Sequence, residues 1–188
     1  MPSAPHRAVF LDRDGTMIEE KEYLRRPEEL SLFPSTKVAL RRLQEDGFLL
    51  IMLTNQSGVG RGFFTMRDVE AVHDRLISDL NTGGVGLSKI YVAPERPDQP
   101  SRGRKPSPQF LFDARDELSL DLSRCYMIGD KLIDLECGWN AGLRRSLLVR
   151  TGYGAKVERD SETLLRDAVI VDDLSSAANW IIKDARLV

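Results

Sequence analysis

The sequence predicts an α/β fold of three layers, with a central, mostly parallel sheet between helices. Two observations predict it. Apolar runs of strand length alternate with segments of helical period along the whole chain. The longest such run, Phe48 to Leu53, is continuously apolar, the pattern of a parallel strand covered on both faces. No repeat or low-complexity tract interrupts the alternation. With 188 residues, the chain reads as one compact domain over 1–188, preceded by a polar tail at 1–7. That length buries a core without disulfides or a structural metal.

The elements follow in order. Ala8 to Leu11 is a short strand that ends directly in Asp12. Ala39, Leu40 and Leu43 share a helical face, and Gly47 closes that helix. Phe48 to Leu53 is the second strand. Met66, Val69, His73, Leu76, Ile77 and Leu80 repeat at helical spacing, and Gly83 and Gly84 break that helix. Lys89 to Val92 is a third strand. The stretch from Ala93 to Ser107 holds Pro94, Pro97, Pro100, Gly103 and Pro106 and reads as a loop. Phe110, Leu111, Ala114 and Leu118 mark the next helix. Cys125 to Ile128 is a strand, Ile133 to Ala141 a helix, Ser146 to Val149 and Val169 to Val171 strands, and Ala177 to Asp184 a closing helix. No insertion is long enough to form a large cap over the sheet.

Composition narrows the function classes. The net charge of -2 gives no basic field to draw nucleic acid or an anionic membrane. Phe48 to Leu53 is far too short to span a bilayer, and Met1 to Arg7 carries no apolar signal segment, so a cytoplasmic location is expected. Cys125 and Cys137 form neither a disulfide framework nor a metal knuckle and read as small buried side chains. Nothing in the pattern demands an obligate assembly, so a monomer is expected.

In open α/β sheets ligands bind beyond the carboxyl ends of the strands. Strand one ends in Asp12-Arg13-Asp14-Gly15-Thr16 and strand two in Thr54-Asn55-Gln56-Ser57-Gly58. Strand three leads into the basic loop with Arg102, Arg104 and Lys105, and strand four ends in Gly129-Asp130-Lys131, with Asp134 soon after. This mixture suits phosphoryl transfer. Asp12 and Asp130 offer carboxylates to a hard cation such as Mg²⁺. Thr54 and Lys105 offer a donor and a positive charge to phosphate oxygens. A carboxylate held in line with phosphorus acts as a nucleophile. A second acid two residues along an extended chain points to the same side and can serve as general acid and base. Asp12 and Asp14 stand in that relation, and Gly15 lets the chain turn after them.

These motifs resemble the haloacid dehalogenase superfamily of phosphatases. Phe10-Leu-Asp-Arg-Asp-Gly-Thr16 looks like its first motif, and Thr54, Lys105 and Gly129-Asp130 followed by Asp134 match the second, third and fourth in order. Leu53-Thr-Asn-Gln-Ser-Gly58 with Arg61-Gly62, Arg104-Lys-Pro106 and Met127-Ile-Gly-Asp-Lys131 are most similar to the branch of heptose 1,7-bisphosphate and histidinol phosphatases. The similarity runs from about Ala8 to Tyr153. It implies a Rossmann-like sheet with Asp12 on the central strand and no large cap domain. It implies Mg²⁺ held by the Asp12 carboxylate, the Asp14 carbonyl and Asp130. It also implies that Thr54 and Lys105 bind the transferred group, with Asn55, Gln56, Arg61, Arg104 and Lys131 holding the substrate. One departure stands out. Many members of the branch carry a zinc loop of paired Cys and His before Arg-Lys-Pro. Here those positions are about Ala93, Glu95, Ser101 and Gly103, so no structural zinc is expected, and the prolines and packing must hold the loop.

Blander roles stand beside these. Asp130 could cap the following helix as well as bind metal. Asp134 could face solvent or support the metal. Arg102 reads as solvated, and His73 reads as a buried or boundary histidine on an apolar helix face rather than a catalyst. The expected activity is hydrolysis of a small phosphorylated metabolite, foremost D-glycero-D-manno-heptose 1,7-bisphosphate to the 1-phosphate. Histidinol phosphate or another small phosphomonoester is the alternative within that chemistry. A non-catalytic scaffold is the alternative outside it, and the intact set of Asp12, Asp14 and Asp130 speaks against that. A nucleic-acid-end phosphatase is disfavoured by the charge and by the lack of an aromatic-basic face.

Overall fold

The computed structural model describes residues 5–187. Six strands form one sheet in the order β3-β2-β1-β4-β5-β6, and every pairing is parallel. They are β1 (Arg7–Leu11), β2 (Phe48–Asn55), β3 (Lys89–Ala93), β4 (Tyr126–Gly129), β5 (Arg145–Val149) and β6 (Val169–Val171). The helices are α1 (Thr36–Glu45), α2 (Ser57–Gly60), α3 (Met66–Asn81), α4 (Gln109–Leu118), α5 (Leu132–Asn140), α6 (Gly154–Asp160) and α7 (Leu174–Asp184). Among the described residues no helix is long and apolar enough to cross a membrane.

The continuous apolar strands conceal a period of two. In β1, Val9 and Leu11 join one hydrophobic cluster with Leu40, Leu43, Val72, Leu76 and Ile181 from α1, α3 and α7. Their neighbours Ala8 and Phe10 join the opposite cluster, with Leu111, Ala114 and Cys137 from α4 and α5. β1 thus buries both faces, which is why no polar residue interrupts it between Ala8 and Leu11. Helices cover both sides, and the expected three layers result.

Most expected elements agree with the structure to within a few residues, and three points differ. Arg7 belongs to β1 rather than to a tail: it pairs with Phe48 across the ladder, its guanidinium lies 4.1 Å from the Phe48 ring centroid, and it salt-bridges Asp46. His6 also joins the fold, donating its backbone N–H to the Ser119 carbonyl at 3.0 Å. Residues 1–4 of the expected tail lie outside the described residues. Second, α2 and α6 were not foreseen, because Ser57-Gly-Val-Gly60 and Gly154–Asp160 are short and show no apolar stripe. Third, the 93–107 loop is not held by prolines and packing alone. The Ser101 hydroxyl donates to Glu95 at 2.7 Å and accepts from the Arg104 N–H at 3.1 Å, while the Arg104 side chain donates to the Glu95 carbonyl at 3.1 Å. Glu95 and Ser101 occupy two of the positions where the resembling branch places zinc ligands. The two cysteines are buried as expected, and burial pushes both thiols up to about 12.

The chain runs outward from β1 through β2 to β3, then returns to place β4 on the other side of β1. The connections therefore diverge between β1 and β4, and a crevice opens at their carboxyl ends. Beyond β5, Gly154 starts α6 so close to the sheet that a Cβ there would overlap the Val149 carbonyl oxygen. Gly154→Ala should therefore lower stability by about 1–3 kcal/mol through overpacking against backbone that cannot yield. Denaturant unfolding checks this, and an unchanged midpoint would refute the close approach.

Candidate active site

Asp12 and Asp130 are the first residues beyond β1 and β4, on either side of the switch point, and each is almost wholly buried. The Asp12 N–H still donates to the Ile128 carbonyl at 3.0 Å, so the ladder holds its backbone. Asp134, on the first turn of α5, joins them: one carboxylate oxygen from each of the three lies within 4.8 Å of the others. Lys105 enters the cluster from the 93–107 loop. Its Nζ donates to Asp12 Oδ1 at 2.6 Å and to the Leu53 carbonyl at 3.0 Å, and it lies 2.6 Å from Asp134 Oδ1. The first two are hydrogen bonds and the third is an ion-pair contact. Asn55 fixes the lysine's backbone in both directions, accepting from the Lys105 N–H at 3.1 Å and donating to its carbonyl at 3.2 Å.

Burying carboxylates together favours the protonated form. Burial pushes Asp12 up to about 6, Lys105 pulls it back and Asp134 raises it further. Burial and then the Asp12 charge carry Asp130 up to about 8. Burial also opposes the Lys105 ammonium, but Asp12 and Asp134 more than offset it and hold its pKa above the usual lysine value.

This cluster suits a divalent cation. Asp130 Oδ2 accepts the Tyr153 N–H at 2.9 Å, whereas its buried Oδ1 has no hydrogen-bond partner among the described residues. A buried unpartnered carboxylate oxygen beside a second carboxylate is a natural metal ligand. Gly15, at φ +81°, is required here, because a Cβ on it would overlap the Asp130 carboxyl group. Asp134 is otherwise engaged: its Oδ1 meets Lys105 and its Oδ2 caps α5 by accepting the Lys131 N–H at 3.0 Å. Asp134 is buried, so the solvent-facing role weighed for it does not hold.

Asp14 is held by three hydrogen bonds from two side chains. The Arg13 side chain is 1% exposed and grips both carboxylate oxygens, Nε to Oδ2 at 2.9 Å and Nη2 to Oδ1 at 3.0 Å. Gln56 Nε2 reaches the same Oδ2 at 3.1 Å and also donates to the Thr54 hydroxyl at 2.7 Å. Behind Arg13, its Nη1 stands 3.1 Å from His73 Nε2. Burial, with the Arg13 charge second, pushes His73 down to about 4, so the ring is neutral and accepts.

Outside Asp14 lies a cavity of about 520 Å³, bounded by Glu20, Glu22, Tyr23, Asn55, Lys131 and Tyr153 among others. Lys131 stands at its edge, 3.0 Å from Glu20 and 4.9 Å from the centre of the Tyr153 ring. Burial opposes its charge, but Asp12, Asp130 and Glu20 raise its pKa. A smaller recess joins Asp12, Asp14, Asn55, Arg104, Lys105 and Lys131. The structure thus brings together Asp12, Asp14, Thr54, Asn55, Gln56, Arg104, Lys105, Lys131 and Asp130. Arg61 stands apart, in a separate hollow with Arg96, Pro97 and Asp98. Its charge is still felt at Arg104, whose pKa falls through burial and, despite Glu95, through Arg61. Arg102 is exposed and paired with Asp113, as expected of a solvated charge.

Sequence reading passed over Arg13, Glu20, Glu22 and Tyr153. Glu20 and Glu22 follow no periodic pattern. Tyr153 lies beyond β5, and the strand-end rule applied to that strand as well would have found it. Arg13 had a signal, because it stands between two acids, one of them buried.

Comparison with known proteins follows the same lines. A family model described as polynucleotide kinase 3 phosphatase matches residues 7–134, and one described as HAD-hydrolase-like matches 103–177. The D-glycero-D-manno-heptose-1,7-bisphosphate 7-phosphatase of Thermosynechococcus vestitus is 36% identical, over 94% of this chain and 96% of its own. The D-glycero-beta-D-manno-heptose-1,7-bisphosphate 7-phosphatase of Escherichia coli is 33% identical, over 93% of this chain and 87% of its own. Among solved structures, the D,D-heptose 1,7-bisphosphate phosphatase of B. bronchiseptica, complexed with magnesium and phosphate, superposes with a TM-score of 0.88 at 29% identity. That match covers 95% of this chain and 99% of the other. The chain belongs to the haloacid dehalogenase family of phosphatases.

Proposed function

We propose that this chain is a Mg²⁺-dependent phosphatase of a phosphorylated sugar, foremost D-glycero-D-manno-heptose 1,7-bisphosphate, from which it removes the 7-phosphate and leaves the 1-phosphate. The observation that carries the reading is the convergence of Asp12, Asp14, Lys105 and Asp130, from two strand ends and a loop, in one cleft. The relatives named above support the choice of sugar. We take it to act as a single-domain monomer in the cytoplasm, since one chain supplies every group the chemistry uses.

Asp12 is the nucleophile. Lys105 holds it through Oδ1, which leaves Oδ2 to attack phosphorus. As the Asp12–phosphorus bond forms, the bond from phosphorus to the sugar oxygen breaks, and Asp14 passes a proton to the departing alkoxide. Asp14 then takes a proton from water, whose oxygen attacks phosphorus and releases phosphate from Asp12. The Thr54 hydroxyl and the Lys105 charge balance the phosphoryl oxygens, and Asn55 and Gln56 position Lys105 and Asp14. Asp12, Asp130 and the Asp14 carbonyl would hold Mg²⁺, which when bound supplies positive charge to the phosphoryl oxygens. Lys131 and Arg104, which line the recess beside Asp14, hold the substrate, and Arg61 acts only through its charge at Arg104. Glu20 and Glu22 line the wider cavity and suit sugar hydroxyls as acceptors, while they repel a polyanion such as a nucleic-acid strand. Those acids also favour a second reading, histidinol phosphate, whose ammonium they could meet.

Phosphate release from heptose 1,7-bisphosphate, fructose 1,6-bisphosphate, histidinol phosphate and a 3′-phosphorylated oligonucleotide tests the proposal. Selective turnover of the heptose bisphosphate is expected, and Asp12→Asn should lower kcat by about 10³-fold or more. Preference for histidinol phosphate or the oligonucleotide would overturn the sugar assignment, and a fully active Asp12→Asn would overturn the mechanism.

Metal binding should depend on pH in a defined direction. Asp12 near 6 and Asp130 near 8 are raised above ordinary carboxylates. In the metal-free protein the stability they contribute is present at acid pH and is lost as pH rises through those values. Ligands must lose their protons to bind Mg²⁺. Added Mg²⁺ should therefore raise Tm more at pH 8 than at pH 6, and Asp130→Asn should abolish the rise. Equal shifts at both pH values would count against these ligands.

A further inference from the structure

We propose that Arg13 and His73 are positioning residues for Asp14: His73 on α3 orients the Arg13 guanidinium, and Arg13 orients the proton-transferring carboxyl group. The inference rests on the reading of Asp14 as general acid and base. A carboxylate at the edge of a cavity rotates easily about its last torsion, which is broad and two-fold. A proton donor that rotates is aimed at the leaving oxygen only part of the time. The two-point grip of Arg13, 2.9 and 3.0 Å on separate oxygens, removes that freedom. A lysine could not replace it, since an ammonium lacks the planar fork.

Arg13 is itself fixed from behind. A fully buried guanidinium needs partners for its donors. Asp14 engages Nε and Nη2, and His73 Nε2 engages Nη1 at 3.1 Å. That contact requires a neutral ring with its proton on Nδ1, and the buried, depressed histidine meets the first condition. His73 is placed by α3, whose register is set twice. At the N-terminus Thr65 and Asp68 form a capping box, with the Thr65 N–H donating to Asp68 at 2.7 Å. Along its length Val69, Val72 and Leu76 bury the same side of the helix as His73. A rigid line therefore runs from the α3 cap through His73 and Arg13 to Asp14, between residues 60 positions apart in sequence.

Leaving-group dependence tests this. An alkoxide needs a proton from Asp14 to depart, whereas p-nitrophenolate departs without one. Because kcat/KM reports the first phosphoryl transfer, a misaimed acid should depress it for the sugar phosphate and spare it for p-nitrophenyl phosphate. His73→Leu is expected to lower kcat/KM for heptose bisphosphate about tenfold or more and to change that for p-nitrophenyl phosphate less than about twofold. Arg13→Lys should behave alike with a larger loss. His73→Gln, which keeps an acceptor for Arg13, should recover most of the activity. Asp14→Asn is the reference. If it shows the leaving-group split and His73→Leu and Arg13→Lys do not, the positioning role is overturned. If Asp14→Asn itself shows no split, the acid–base reading of Asp14 fails instead. Equal losses on both substrates in His73→Leu, unrelieved in His73→Gln, would mark His73 as structural only and also overturn the inference.

Discussion

The structure is organised around one electrostatic constraint: carboxylates packed together in a nearly water-free cleft must be balanced. Asp12, Asp130 and Asp134 lie within a few ångströms of one another, and Lys105 is the single buried ammonium among them. Isolated charges at such depth would cost several kcal/mol each. The protein meets that cost with directed contacts. Lys105 spans Asp12 and Asp134, the Tyr153 N–H serves Asp130, and the Lys131 N–H serves Asp134. Two buried carboxylate oxygens have no hydrogen-bond partner among the described residues; Asp134 Oδ1 lies against Lys105, and Asp130 Oδ1 is left for an external cation.

The rest of the fold follows from the need to deliver these groups. The continuous apolar strands allow a sheet covered on both faces, and that sheet brings the ends of β1 and β4 side by side. The 93–107 loop must reach back across β2 to insert Lys105, and Asn55 at the end of β2 receives it. Glu95, Ser101 and Arg104 tie that loop by hydrogen bonds. The α3 helix covers the core with one face and, through His73, reaches the Arg13–Asp14 pair with the same face.

Much of this was legible in the sequence. Strand runs such as Phe48 to Leu53 declare themselves because burial on both faces forbids polar residues. Asp12, Asp14, Thr54, Lys105 and Asp130 were legible because the strand-end rule ties position to chemistry. Arg61 was legible as a motif residue, yet it stands in a neighbouring hollow. His73 was correctly read as buried. Its polar partner was invisible, because a helical period says which face is inward and nothing about what waits there.

The alternation of elements, the parallel sheet and the types of group at each strand end are written in the chain's own pattern. They are legible there because burial and backbone geometry act locally and leave periodic marks. Which carboxylates share Lys105, the burial of Asp134 and the inward turn of Arg13 to grip Asp14 came from the tertiary structure alone. Those outcomes depend on contacts between residues far apart along the chain, and charge balance in a cleft is settled by distance in space, for which sequence carries no period.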